Sequence, residues 1–182
     1  MSDPLKLLSD SEEILEKTLN EYRTPNNSTD AQEYYEIKLQ AAIFNYDVTR
    51  EVAGLINLRM TGFASKLALK DLVHKLFEFE IVLSGRLIKR IVELAERRGY
   101  LTAGSDIKKK KQEIKKYIKQ LQSWKALRNN AAAHYGEDIG RQVKLISELD
   151  LTTVLAVASR FMEFSYFVNT ILRDIGREKK SI

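Results

Sequence analysis

Cysteine is absent from the 182-residue chain, and proline and glycine are scarce, at two and eight residues. Without cysteine no disulfide framework or thiolate metal site can form, which favours a reducing, cytoplasmic environment. With so little proline and glycine, the chain has few turn formers for many short strands. These absences favour an α-helical protein.

Long uncharged apolar runs are also missing. Segment 1–13 becomes acidic before an apolar stretch can form, and no window approaches eighteen apolar residues without a charge. We therefore expect neither a secretion signal nor a membrane span.

Apolar residues recur three or four positions apart in every long segment, which is the spacing of one α-helical face. Breaks at 25–28, 61–62, 99–105 and 136–150 separate predicted helices 5–23, 30–60, 64–98, 105–130 and 150–177. Capping-box spacing, Ser9 with Glu12 and Asp30 with Glu33, predicts where the first two helices begin. The pattern predicts one all-α domain over residues 1–182, an antiparallel up-and-down bundle of about five helices.

Positive charge is concentrated in residues 101–136, although the whole chain carries only +5. Nine Lys or Arg stand there against Asp106 and Glu113, a local charge of +7, while the rest of the chain carries −2. A solvated helix face explains many lysine runs, but this concentration also favours a polyanionic partner. The candidate phosphate contacts are Lys108, Lys111, Lys115, Lys119 and Lys125.

Charged residues interrupt the apolar faces at two places. Arg128 lies seven residues after Leu121, so the two share a face on a continuous helix. Its guanidinium then needs an anion or a carboxylate, because an unpaired buried charge is costly. Glu80 lies within the apolar stripe of the third helix, where we expect an ion pair with Arg50 or, alternatively, a supporting role in a site.

The two histidines have different surroundings. His74 lies in a polar stretch of its helix, which is typical of a solvated surface residue. His134 follows three alanines and precedes a loop, so another backbone or a ligand can approach it closely. His134 is therefore the candidate functional histidine.

Arg128, Asn129 and His134, with five residues between the arginine and the histidine, resemble the R-N-x(3–5)-H motif of the HEPN superfamily. The name stands for higher eukaryotic and prokaryotic nucleotide-binding domains. The resemblance implies a helical bundle, usually dimeric, in which two Arg-His motifs meet in an interface cleft. Many members are metal-independent endoribonucleases of toxin–antitoxin or antiviral-defence systems. Tyr135 directly follows His134, whereas members regulated by tyrosine modification have His-x-Tyr, so the resemblance does not extend to that regulation.

The motif residues suit RNA cleavage because RNA supplies its own nucleophile, the 2′-hydroxyl. Histidine suits the proton transfers, since its ordinary pKa of about 6.5 is near working pH. Arginine binds phosphate oxygens through two parallel hydrogen bonds and keeps its charge. Asn129 would orient either partner, and Glu80 and Tyr135 are candidates to support the site. On a continuous helix Arg128 and His134 would point about 120° apart. Unless the helix kinks or ends between them, a homodimer is therefore expected to assemble the site from both chains.

The sequence favours a metal-independent endoribonuclease, with RNA as substrate and an antitoxin or regulatory protein as a candidate partner. Two alternatives remain: a non-catalytic module that binds RNA or a nucleotide, and a helical interaction subunit. No Walker, dinucleotide-binding, zincin or nucleophile-elbow motif is present, and we expect no cofactor and no metal.

Overall fold

The computed structural model describes residues 4–25, 28–58, 60–131 and 138–178, and the side chains of residues 130, 131, 177 and 178 are not described. The described chain is helical with no strand, which confirms the all-α prediction. The helices are α1 Pro4–Arg23, α2 Thr29–Asn57, α3 Gly62–Val82, α4 Ile88–Arg97, α5 Ala103–Glu113, α6 Lys115–Ser123, α7 Lys125–Ala131, α8 Ile139–Ser147 and α9 Leu151–Glu178. A π-helical turn, Leu83–Leu87, joins α3 to α4 and makes one long rod.

The core lies along the predicted stripe of this rod. Its apolar residues are all buried: Leu69, Leu72, Val73, Leu76, Phe79, Leu83, Leu87, Ile91 and Leu94. The rod ends in a Schellman motif, in which Tyr100 N–H donates to the Ala95 carbonyl and Gly99 N–H to the Glu96 carbonyl. Gly99 adopts a φ of 85°, which an L side chain rarely tolerates.

Helix α9 is the centre of the bundle, since it packs on α2, α3, α4, α5 and α6. Among the described helices, it is the one long and apolar enough to span a membrane, judged by length and composition. Part of its apolar surface lies in the protein core, where Val154, Val157, Phe161, Phe164, Val168 and Ile175 are buried.

The predicted helix 105–130 is divided into three pieces. Ile114 and Trp124 depart from helical backbone geometry, with ψ near 4° and 12°. Ile114 separates α5 from α6, and Trp124 separates α6 from α7. The segment around 136–150 was predicted as a break, but α8 forms there. Asp138 caps it by accepting a hydrogen bond from Arg141 N–H at 2.9 Å, and Ile146 is buried.

Neither predicted capping box forms. Helix α1 begins at Pro4, so Ser9 and Glu12 lie inside it. Helix α2 is capped by Ser28, whose hydroxyl accepts from Ala31 N–H at 3.4 Å. Asp30 instead accepts hydrogen bonds from Arg97 and Arg98, which ties the start of α2 to the end of α4.

Candidate functional site

The candidate phosphate contacts lie on the three helical pieces α5, α6 and α7. Lys108 on α5, Lys115 and Lys119 on α6, and Lys125 on α7 are exposed, whereas Lys111 is half-buried. On the opposite side, Ile107, Ile114 and Leu121 are buried at a spacing of seven residues. The three pieces therefore have a basic outer face and an apolar inner face.

Arg128 lies on the rim of the bundle rather than on its inner face. The break at Trp124 changes the helical phase, so Leu127 enters the core where a continuous helix would place Arg128. The Arg128 side chain keeps 33% of its surface exposed. The sequence placed Arg128 on the inward or partner-facing side, and the structure has it at the rim instead of the inner face, because the helix is interrupted at residue 124.

The carboxylate that Arg128 needs comes from Glu78 on α3. The two side chains approach to 3.2 Å, and Glu78 is more exposed than Arg128, at 52%. The Arg128 guanidinium also lies 5.8 Å from the centre of the Phe77 ring, within the range of a cation–π contact. Because exposed ion pairs contribute only about 0–1 kcal/mol, an incoming phosphate can displace Glu78.

Asn129 follows on α7 and is exposed. His134 and Tyr135 lie outside the described residues. The structure thus positions the arginine and asparagine of the motif at the end of a helix.

Glu80 does not pair with Arg50, contrary to the expectation. Arg50 is exposed and binds Asp47 and Glu51 on its own helix. Glu80 accepts a hydrogen bond from the Ser84 hydroxyl at 2.9 Å, and Lys111 donates to that same hydroxyl at 2.8 Å. Ser84 therefore links Glu80 on α3 to Lys111 on α5.

Two aromatic residues of the basic segment pack against the core. Tyr117 and Trp124 are both half-buried. Lys116 and Arg160 lie 4.8 Å and 5.7 Å from the centre of the Tyr117 ring. Hydrogen bonding from Arg160 and then from Lys116 lowers the pKa of the Tyr117 phenol below its ordinary value.

His74 is not a fully solvated residue. It is half-buried, and its Nδ1 atom is shielded from solvent without a hydrogen-bond partner. Within the described part of the chain, no three His, Asp or Glu side chains cluster in a way that would hold a metal ion.

Sequence reasoning missed Glu78 and Ser84, the two residues through which the rod contacts Arg128 and Lys111. Glu78 is separated from Arg128 by 50 residues, so no local pattern relates them. The available signal was weak: Glu78 is a carboxylate on the polar side of a long amphipathic helix.

No family model matches this chain, and neither the curated proteins nor the solved structures contain a significant match.

Proposed function

We propose that this protein is a metal-independent endoribonuclease of the HEPN superfamily, of toxin or antiviral-defence type, and that it acts in the cytoplasm as a homodimer. The single observation that carries the proposal is the position of Arg128 at the rim, with a displaceable carboxylate partner. The motif resemblance supplies the reaction class, and the exposed lysines of α5 to α7 supply a surface for the RNA backbone.

In the proposed reaction, His134 of one chain removes the proton of the RNA 2′-hydroxyl. The 2′-oxygen attacks the adjacent phosphorus, the bond to the 5′-oxygen breaks, and a 2′,3′-cyclic phosphate remains. His134 of the second chain gives its proton to the departing 5′-oxygen. Arg128 binds the non-bridging oxygens as charge develops on them, and Asn129 orients one of these groups.

Dimerisation is part of the proposal because one helix, unless it kinks or ends between residues 128 and 134, cannot present both motif residues to one phosphate. Residues six apart point about 120° away from each other on an α-helix. A two-fold axis allows each chain to contribute an arginine and a histidine to a shared cleft. A five-helix HEPN-like bundle is the corresponding proposal for the fold family.

The test is cleavage of end-labelled, mixed-sequence RNA in EDTA by the wild type, Arg128→Ala and His134→Ala, with the oligomeric state measured alongside. We expect cyclic phosphate ends from the wild type and at least a hundredfold slower cleavage from both variants. A dimeric wild type that leaves RNA intact would contradict the proposal.

Two matched variants control for loss of structure. Arg160 resembles Arg128 in its contacts, since it pairs with Glu163 at 2.6 Å and lies over an aromatic ring, so Arg160→Ala should retain cleavage. His74→Gln should also retain it, because His74 is outside the motif. Equal losses in Arg160→Ala and Arg128→Ala would show that the effect is not specific to the site.

A second candidate is a non-catalytic module that binds RNA or a nucleotide through the same surface. The exposure of Lys108, Lys115, Lys119 and Lys125 favours it, because phosphate contacts alone supply non-specific binding. Under this alternative the wild type binds RNA in a salt-dependent manner without cleaving it, and His134→Ala leaves that binding unchanged.

A further inference from the structure

Helix α1 joins the bundle through a single neighbour. Among the described helices, α2 is the one on which α1 packs extensively, whereas α2 and α9 each pack on several others. The apolar core, together with the side chains that pack against it, includes no described residue of α1. The core of the bundle therefore does not depend on α1.

The face that α1 turns toward α2 is only weakly apolar. Its stripe, spaced at steps of three and four, consists of Leu8, Ser11, Leu15, Thr18 and Tyr22. The two buried members are the small polar residues Ser11 and Thr18, and the three large members are half-buried. Both hydroxyls donate to carbonyls of α1 itself, at 2.7 Å, instead of bonding to α2. Because this contact buries little apolar surface, it contributes little hydrophobic stabilisation.

The opposite flank of α1 faces open space. Cavities of about 440 Å³ and 580 Å³ lie between α1 and α9. Leu7 and Ile14 line them and stay 37% and 49% exposed. In the described part of the chain one ion pair joins α1 to another helix, between Glu21 and Lys38, and both side chains are 29% exposed. A partly exposed ion pair stabilises a contact only modestly.

Two polar oxygens beneath this contact lack a partner. Asn45 and Thr49 lie one turn apart on α2, and each lines one of the two cavities that α1 also lines. The Asn45 Oδ1 and Thr49 Oγ1 atoms are buried without a hydrogen-bond partner. A buried polar atom without a partner costs free energy, and it recovers that free energy when water reaches it. Separation of α1 from α2 opens this side of α2 to water and relieves the cost.

We propose that α1 is a strap that detaches from α2 as one unit while α2 to α9 stay folded. Opening gives up a contact of small apolar area and one partly exposed ion pair, and it hydrates Asn45 and Thr49. The open form bares this side of α2 and leaves the lysines of α5 to α7 in place. The inference does not depend on the proposed ribonuclease function, because α1 has no part in that site.

Thiol labelling measures this opening, because the chain has no cysteine and an introduced cysteine is its single thiol. Ser11→Cys and Thr18→Cys place a thiol at buried positions of α1, and Ser165→Cys places one at a buried position of α9. Each labelling rate in native buffer is divided by the rate of the same variant in denaturing urea. We expect the two α1 thiols to react at rates within about threefold of each other, and at least about a hundredfold faster than the thiol of Ser165→Cys.

The two positions on α1 distinguish opening of the whole helix from fraying of its first turns. Ser11 and Thr18 are about two helical turns apart. Fraying from the Pro4 end would label Ser11→Cys at least about tenfold faster than Thr18→Cys, and that result overturns the proposal. Equally slow labelling of all three variants also overturns it, since α1 would then open only when the bundle unfolds.

Thr49→Val tests the contribution of the unpaired oxygens. Valine has nearly the shape of threonine but no hydroxyl, so the closed form no longer buries the Thr49 oxygen. We expect Thr18→Cys to label at least about threefold more slowly when it is combined with Thr49→Val. Thr152→Val, the same change at an exposed position of α9, should alter the rate less than about twofold. Labelling that Thr49→Val leaves unchanged or accelerates would contradict the proposal.

Hydrogen exchange of the unmodified protein, followed by mass spectrometry, gives a second measurement that needs no substitution. The amides of α1 should exchange together and at least about a hundredfold faster than those of α3 and α9, which stay protected. Protection of α1 equal to that of α9 would overturn the proposal even if a cysteine variant failed to fold.

Discussion

Arg128 pairs with a carboxylate that a ligand can displace. Its guanidinium has two neighbours in the described structure, the Glu78 carboxylate and the Phe77 ring. The ring contact keeps the side chain in place when the carboxylate leaves, because a cation–π contact does not use the hydrogen-bonding edge of the guanidinium. Under the proposed function, Glu78 is thus the residue that competes with RNA for Arg128.

Replacing Glu78 with glutamine should therefore strengthen RNA binding. We expect about threefold higher affinity for a single-stranded RNA, which corresponds to the modest strength of an exposed ion pair. Fluorescence anisotropy at constant salt measures the change. Glu163→Gln removes the ion-pair partner of Arg160 and changes the net charge by the same amount as Glu78→Gln. A similar gain in affinity in that variant would assign the effect to net charge instead of Arg128.

At the scale of the elements, the long rod of α3 and α4 was the part most accurately predicted. The nine residues of its apolar stripe are all buried, since a spacing of mostly three or four puts these side chains on one helix face. The division of helix 105–130 was not predictable in the same way. Neither Ile114 nor Trp124 is a helix breaker, so residue propensity does not explain these breaks.

Glycines inside helices offer a test of packing at this scale. At Gly54 in α2 an added Cβ would meet no atom within 4 Å, whereas at Gly176 in α9 it would lie 2.7 Å from the Tyr34 hydroxyl oxygen. Gly54→Ala should raise the free energy of unfolding by about 0.5–1 kcal/mol. Gly176→Ala should lower it by about 1 kcal/mol, because Tyr34 must move.

Urea unfolding of both variants measures the two changes. Adding Tyr34→Phe to Gly176→Ala removes the oxygen in closest contact and should recover part of the loss. Stabilisation by Gly176→Ala alone would mean that Tyr34 moves without cost and that the close approach is unimportant.

At the scale of the whole molecule, affinity for a polyanion depends more on the distribution of charge than on the net charge. The exposed lysines of α5 and α6 belong to the segment that carries a local charge of +7. Each lysine that contacts a phosphate of single-stranded RNA contributes about 0.7 to the slope of log affinity against log salt.

Replacing Lys108, Lys115 and Lys119 together with glutamine should consequently reduce the steepness of that slope by about 2. RNA binding measured by anisotropy over a series of salt concentrations gives the slope. Glutamine at Lys6, Lys17 and Lys144, three exposed lysines elsewhere, should reduce it by less than 0.5. Equal reductions in the two triple variants would indicate that RNA has no preferred surface.

The sequence by itself determined the all-helical class, the buried stripe of the rod and the basic outer face of residues 108–125, because each of these follows from local spacing along a helix. Tertiary structure decided which carboxylate Arg128 binds, since Glu78 comes from a distant helix. It also decided that Asp30 at the start of α2 binds Arg97 and Arg98 at the end of the rod. Contacts between distant segments depend on how helices turn and pack against each other, and no local spacing encodes that.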